Sequence, residues 1–325
     1  MTRMPNAAPT PRETRELEGA QSSPPVPSEP AWLGRSLYPF ASRYFDSGDG
    51  RMHYVDEGAG GAGGRPVVFV HGTPTWSFLY RHLIARLAPR HRAIAVDHLG
   101  FGLSEKPAAA PYEPNDHARR LVSLLDSLDV SGATLVVHDF GGPIGLSAAL
   151  ARPDRFERLV LFNTWMWSVN DDSSIARGAK VAGSWLGRLL YRHLNFPVKV
   201  LMPTAMGDRS VLTPEIRRHY AAPLASPDER MGAWGCARAL LAAGPWFDGL
   251  WADRGRLRGK PILLLWGLKD PSFGPSYLER WRQEFPEAQV HTFATSGHFV
   301  PEEVPAQVEP LVERFVEAPA RTRAG

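Results

Sequence analysis

Cysteine is almost absent from this chain: Cys236, within WGCARALLAAG, is the only one among 325 residues. No intrachain disulfide is possible, and such usage fits a reducing compartment. The expected state of that thiol is a small buried side chain in a helix. Charge of one sign is also lacking, since 37 Lys and Arg against 34 Asp and Glu leave a net charge of only +3. The arginines are scattered, with no basic stripe interleaved with aromatics, which argues against a nucleic-acid partner. No stretch approaches the roughly 18 consecutive apolar residues of a membrane span. The opening segment MTRMPNAAPTPRETRELEGAQSSPPVPSEP lacks the apolar core of a signal peptide and is rich in Pro, Ser and Ala. The expectation is a cytoplasmic protein without a membrane partner, with residues 1–32 a disordered tail.

What is present is a 43% hydrophobic chain long enough for one large α/β domain with an insertion. Ser42–Asp46 and Arg51–Val55 flank Gly48-Asp49-Gly50, a hairpin signal. GAGGAGG at 58–64 reads as a connector, because it has no lysine at P-loop spacing. Short apolar runs then alternate with helical periods: strands at 66–70, 93–96, 134–137 and 159–162, with helices at 76–87, 116–128 and 140–151 between them. Runs apolar at every position suit parallel strands covered on both faces. From about Trp165 to Trp251 the alternation gives way to helical, aromatic-rich sequence, and it resumes at 261–265, 277–285, 289–293 and 304–316. The pattern predicts a core domain of residues 33–164 and 252–318, with residues 165–251 as a helical cap over the carboxyl ends of the strands.

The chemistry concentrates at strand ends. TLVVHDFGGPIGL runs from strand through a sharp turn into a helix, and Asp139 stands at the corner where many hydrolases place serine. The structural alternative for Asp139 is a helix N-cap. HGTPTW (71–76) follows an earlier strand, WGLKDP (266–271) supplies a second acid, Asp270, and SGHF (296–299) supplies His298. Acid and histidine thus follow the corner in the chain order of α/β hydrolases. A carboxylate at the corner can displace a leaving group from saturated carbon, giving an alkyl ester that water then cleaves at the carboxyl carbon. His71, His98, His138 and His298 show no HExxH-like spacing, so no metal or organic cofactor is expected.

From about Leu37 to Val316 the chain resembles the α/β-hydrolase superfamily and, within it, the haloalkane dehalogenases. The resembling segments are HGTPTWSFLYR, VDHLGFGLSEKP, VVHDFGGPIGL, LFNTWMW, WGLKDP and SGHFVPEE. The resemblance implies a mostly parallel eight-stranded sheet with a helical cap, and cleavage of carbon–halogen bonds in small apolar substrates with water. It implies Asp139 as nucleophile, His298 as base and Asp270 as its partner, with the amides of Thr73 and Phe140 on the second Asp139 oxygen. Where some dehalogenases carry the acid after the earlier strand, this chain has Asn163, which leaves the role to Asp270. It also departs from the pattern: the family's halide donors are often a Trp after the nucleophile and an Asn in the first motif, and here those positions hold Phe140 and Thr73. Phe has no hydrogen to donate. The replacement donors expected are the Thr73 hydroxyl, Trp76, Trp165 and Trp167.

An epoxide hydrolase is the alternative on the same triad, with cap tyrosines Tyr191 and Tyr220 as acids. Both stand in charged helical contexts, LLYRHL and RRHYAAP, and are expected at the surface. A non-catalytic binder on the fold would be expected to lose a triad member, and all three are present. Either a monomer or a homodimer is compatible with the sequence.

Overall fold

The computed structural model describes residues 28–58 and 64–319. Most of the expected tail and of the glycine-rich connector thus lies outside the described residues. Strands β1 (Arg43–Asp46), β2 (Arg51–Glu57), β3 (Val67–Val70), β4 (Ala93–Val96), β5 (Ala133–Asp139), β6 (Phe156–Thr164), β7 (Ile262–Gly267) and β8 (Gln289–Phe293) form one sheet. Their order is β1-β2-β4-β3-β5-β6-β7-β8. β2 pairs antiparallel with β1 and β4, and every later pairing is parallel.

VVFV, AIAV and ILLLWG are buried at every position because helices cover both sheet faces. Helices α1 (Arg81–Leu87), α2 (Pro114–Ser127) and α3 (Gly141–Ala151) connect the early parallel strands. Strand β6 is longer than its apolar run suggests. Glu157 and Arg158 interrupt the pattern, and the Arg158 guanidinium donates to the Ala318 and Pro319 carbonyls at 2.6 and 2.8 Å. A charged residue is thus held at the start of a buried strand.

Between β6 and β7 run α4 (Ser173–Gly183), α5 (Trp185–Leu194), α6 (Met202–Ala205), α7 (Pro214–Ala221), α8 (Met231–Ala242) and α9 (Gly244–Ala252), with no strand among the described residues. Asp172 caps α4 by accepting from the Ser174 and Ile175 amides, and Ser184 caps α5. Asn195 ends α5 in the left-handed conformation, at φ 49°. After β7 come α10 (Pro275–Glu284), α11 (Val300–Glu303) and α12 (Pro305–Glu317).

The helical segment is bolted to the sheet domain by buried polar groups. Arg81 of α1 donates twice to Glu302 of α11, at 2.6 and 2.5 Å, and the Tyr220 hydroxyl of α7 donates to the same carboxylate at 2.6 Å. A buried charge deprived of its partner is costly, on the order of 3–5 kcal/mol. Arg81→Ala should therefore lower unfolding stability by about that amount, read as a reduced urea midpoint.

Candidate active site

Asp139 ends β5 with φ of +52°, a left-handed corner between strand and helix. Such a conformation is costly for a residue with a side chain and persists only when its surroundings enforce it. They do so here by leaving no room for alternatives. A methyl group on Gly72 would run into the Asp139 carboxylate, and one on Gly141 into the Val70 carbonyl. From the other side the Thr164 hydroxyl donates to the Asp139 carbonyl at 2.6 Å. The carboxylate is held beside the first turn of α3, where the helix dipole favours negative charge.

Asp139 Oδ1 accepts from the Thr73 amide at 2.8 Å, and Oδ2 lies 3.4 Å from His298 Nε2. The other ring nitrogen of His298, Nδ1, is 2.7 Å from Asp270 Oδ2. The structure therefore brings the three residues singled out from the sequence into one buried line of carboxylate, imidazole and carboxylate. Among the described residues the Phe140 amide makes no hydrogen bond to Asp139, so of the two amides expected on the carboxylate only Thr73 touches it.

Burial alone would push the His298 imidazole down. The Asp270 carboxylate, with the hydrogen bonds to Asp139 and Asp270, outweighs burial and lifts it to about 10. Burial likewise opposes ionisation of Asp270, but His298 and the amides of Ser272 and Phe273 hold its carboxyl below the ordinary value. The His298 imidazole thus lies between two carboxylates, with its affinity for a proton raised.

Sequence reasoning missed several supports of this line. Asn163, at φ +25°, donates from Nδ2 to Asp270 Oδ2 at 2.9 Å and accepts the Gly267 amide on Oδ1 at 2.9 Å. The residue that replaces an acid at the end of β6 therefore orients the acid at the end of β7. His138 Nε2 donates to the His298 carbonyl at 2.9 Å; burial, then the charge on His298, pushes His138 down to about 3, so it stays neutral. Glu303 accepts the amides of Gly297, Phe299 and Gly207 at 3.0, 3.2 and 2.8 Å, tying the histidine loop to the chain after α6. The spacing SGHFVPEE contains this acid, but nothing in the sequence shows that it turns back on its own loop.

The expected leaving-group donors separate clearly. Trp76 donates its indole N–H to the His219 carbonyl at 2.9 Å, so it serves to dock α7 and is not free. Trp167 packs on Tyr277, Trp251 and Trp281 under the Arg280 guanidinium, and makes no ring contact with Phe140 among the described residues. Trp165 packs edge-on against Phe140 at 4.9 Å and stacks on Phe273 at 4.3 Å, and Phe273 in turn lies against the His298 ring. The Trp165 Nε1 and the Thr73 Oγ1 are both buried without any partner. Buried polar groups are usually satisfied, so these two donors are free to serve a polar group entering beside Phe140 or Asp139.

The tyrosines expected at the surface are both buried. Tyr220 is committed to Glu302. Tyr191, on the inner face of α5, makes no hydrogen bond through its hydroxyl among the described residues. Burial pushes its phenol up, and the nearby Asp139 charge adds to the effect. Cys236 of α8 is buried as expected and feels Asp139 in the same way. Among the described residues there is no group of three or more potential ligands that could hold a metal.

This sheet, corner and order of acid and histidine define an α/β hydrolase. The chain belongs to the alpha/beta hydrolase family, whose model matches residues 67–311. It is 37% identical over 282 residues to haloalkane dehalogenase 2 of Mycobacterium tuberculosis, covering 86% of this chain and 96% of that one. It is also 34% identical over 290 residues to the cis-3-alkyl-4-alkyloxetan-2-one decarboxylase of Shewanella oneidensis, covering 86% and 90%. Among solved structures, the haloalkane dehalogenase DatA from Agrobacterium tumefaciens C58 superposes with a TM-score of 0.75 at 26% identity, covering 85% and 96%.

Two outcomes follow from the geometry. His298 holds its proton more tightly in the folded chain than at its ordinary value of 6.5. Its contribution to stability is therefore complete below about 6.5 and lost as pH rises through about 10. The stability difference between the wild type and His298→Gln should shrink over that window in urea titrations; a difference that grew with pH would contradict the assignment. Glu303→Ala leaves buried amides unpaired and should cost roughly 2–4 kcal/mol in the same assay.

Proposed function

We propose that the chain is a hydrolase that cleaves carbon–halogen bonds of small haloalkanes through a covalent ester on Asp139. The observation that carries this reading is the carboxylate at a left-handed corner, 3.4 Å from the imidazole that would activate water. An Asp139 oxygen attacks the saturated carbon, the C–O bond forms, and the halide leaves with the bonding pair. Esterification removes the Asp139 charge, and with it one of the interactions that keep His298 protonated. The imidazole can then give up its proton and take one from water, while Asp270 stabilises the imidazolium that forms. The hydroxide attacks the Asp139 carbonyl carbon and the Thr73 amide stabilises the oxyanion; on its collapse the acyl C–O bond to the substrate breaks, and the alcohol departs with the proton from the His298 imidazolium. No step requires a metal or organic cofactor.

The departing halide is assigned to two unpartnered donors: the Nε1 of Trp165, which packs on Phe140, and the hydroxyl of Thr73, whose amide binds Asp139. In a site closed to water such a donor is worth on the order of 3 kcal/mol to the transition state.

A second reading is favoured by Tyr191 and by the Shewanella relative: opening of a C–O bond in a strained ring, an epoxide or a four-membered lactone. A phenol without a partner suits a leaving oxygen better than a halide. For an oxetan-2-one, Asp139 would attack the saturated ring carbon and free the carboxylate. Loss of CO2 would then form the C=C bond and expel Asp139, with no water consumed.

Assays with 1-bromobutane, styrene oxide and a cis-3,4-dialkyloxetan-2-one, read as halide, diol and alkene, separate these readings. Halide release is expected. Asp139→Asn should lower it by at least about 10³-fold, and His298→Ala should trap an alkyl adduct on Asp139, visible by intact mass. Trp165→Phe keeps the ring but removes the N–H, so halide release should fall by roughly 10²-fold. Full activity in Asp139→Ala would refute the scheme.

A further inference from the structure

Every large hydrophobic side chain that the described surface exposes lies between Val181 and Leu201: Val181, Trp185, Leu186, Leu189, Leu194, Val200 and Leu201. Trp185 is 79% exposed, at the first position of α5. On that helix Trp185, Leu186, Leu189 and His193 face outward, while Gly187 and Tyr191 face the interior. A soluble surface normally scatters such residues, and their concentration in one segment marks an interaction site.

The charge carried by the segment itself is of one sign. From Ser173 to Leu201 there is no Asp or Glu, while Arg177, Lys180, Arg188, Arg192 and Lys199 are spread through the segment. Arg192 pairs with Asp228 and Arg188 lies over the Trp234 ring. Arg177, Lys180, Arg188 and Lys199 are exposed and form no ion pair among the described residues. We infer that the outer face of α4 and α5, with the turn after them, docks peripherally on an anionic lipid surface. Exposed Trp and Leu ringed by cations have the chemistry of the interface between headgroups and acyl chains. A second copy of the chain would bring Arg177, Lys180, Arg188 and Lys199 face to face, and the segment itself carries no acid to neutralise them, which disfavours self-association there. Among the described residues no helix is long and apolar enough to cross a membrane, so contact is confined to the surface. This proposal departs from the sequence expectation of no membrane partner. Docking would place α5, whose inner face carries Tyr191 near Asp139, at the boundary from which apolar substrates partition.

The test is cosedimentation of the full chain with vesicles of phosphatidylcholine alone and of phosphatidylcholine with about one third phosphatidylglycerol. Binding to the anionic vesicles, weakened by salt, is expected. Trp185→Ser with Leu189→Gln should weaken it by at least about tenfold, and Lys180→Glu with Lys199→Glu should abolish the preference for anionic lipid. These residues are exposed, so folding and turnover of a water-soluble substrate should be unchanged, which keeps this test independent of the reaction assigned above. Absence of vesicle binding, or binding unaffected by both double variants, would overturn the inference. So would a dimer in sedimentation velocity that dissociates in the Trp185→Ser, Leu189→Gln protein, because the face would then belong to a second copy.

Discussion

The His298 imidazole held between two buried carboxylates is the interaction around which the rest of this molecule is arranged. Burial opposes the charged forms of His298 and Asp270. Together they partly neutralise one another, and the remaining lone pairs are met by amides of Thr73 and Ser272 and by the Asn163 side chain. The left-handed corner at Asp139, the glycines that leave it room, and the turn of Glu303 back onto the histidine loop all serve to keep this line intact.

The other side of the site is aromatic: Trp165 lies edge-on against Phe140, with its N–H unpartnered among the described residues. Trp165 follows β6 and stacks on Phe273, whose ring contacts that of His298. The helical cap contributes Tyr191 on its inner side and the basic, apolar face on its outer side, so one helix connects the site to the surface.

Much of the fold was legible in the sequence because buried parallel strands are apolar at every position, and VVFV, AIAV and ILLLWG cannot be read otherwise once helical periods separate them. The candidate site was legible because its side chains sit at strand ends with glycine or proline beside them. What was not legible was direction. Tyr191 and Tyr220 stand among arginines and read as surface or interface residues, yet both are buried, and the Tyr220 hydroxyl is held by Glu302 from a helix distant in the chain. Trp76, Trp165 and Trp167 were equivalent as letters, and only packing separated the docking residue, the orphaned donor and the cluster member.

By itself the sequence determined the order of strands and helices, the sheet class, and the three titratable groups that meet at the strand ends, because local periodicity and turn chemistry are short-range properties. Tertiary structure alone decided the ionisation of His298, the use of Asn163 and Glu303 as supports, and which indole remains free. It also decided that the exposed apolar side chains gather on one face of the cap. Each of these depends on the environment created when residues far apart in the chain exclude water from one another, and no window of sequence contains that environment.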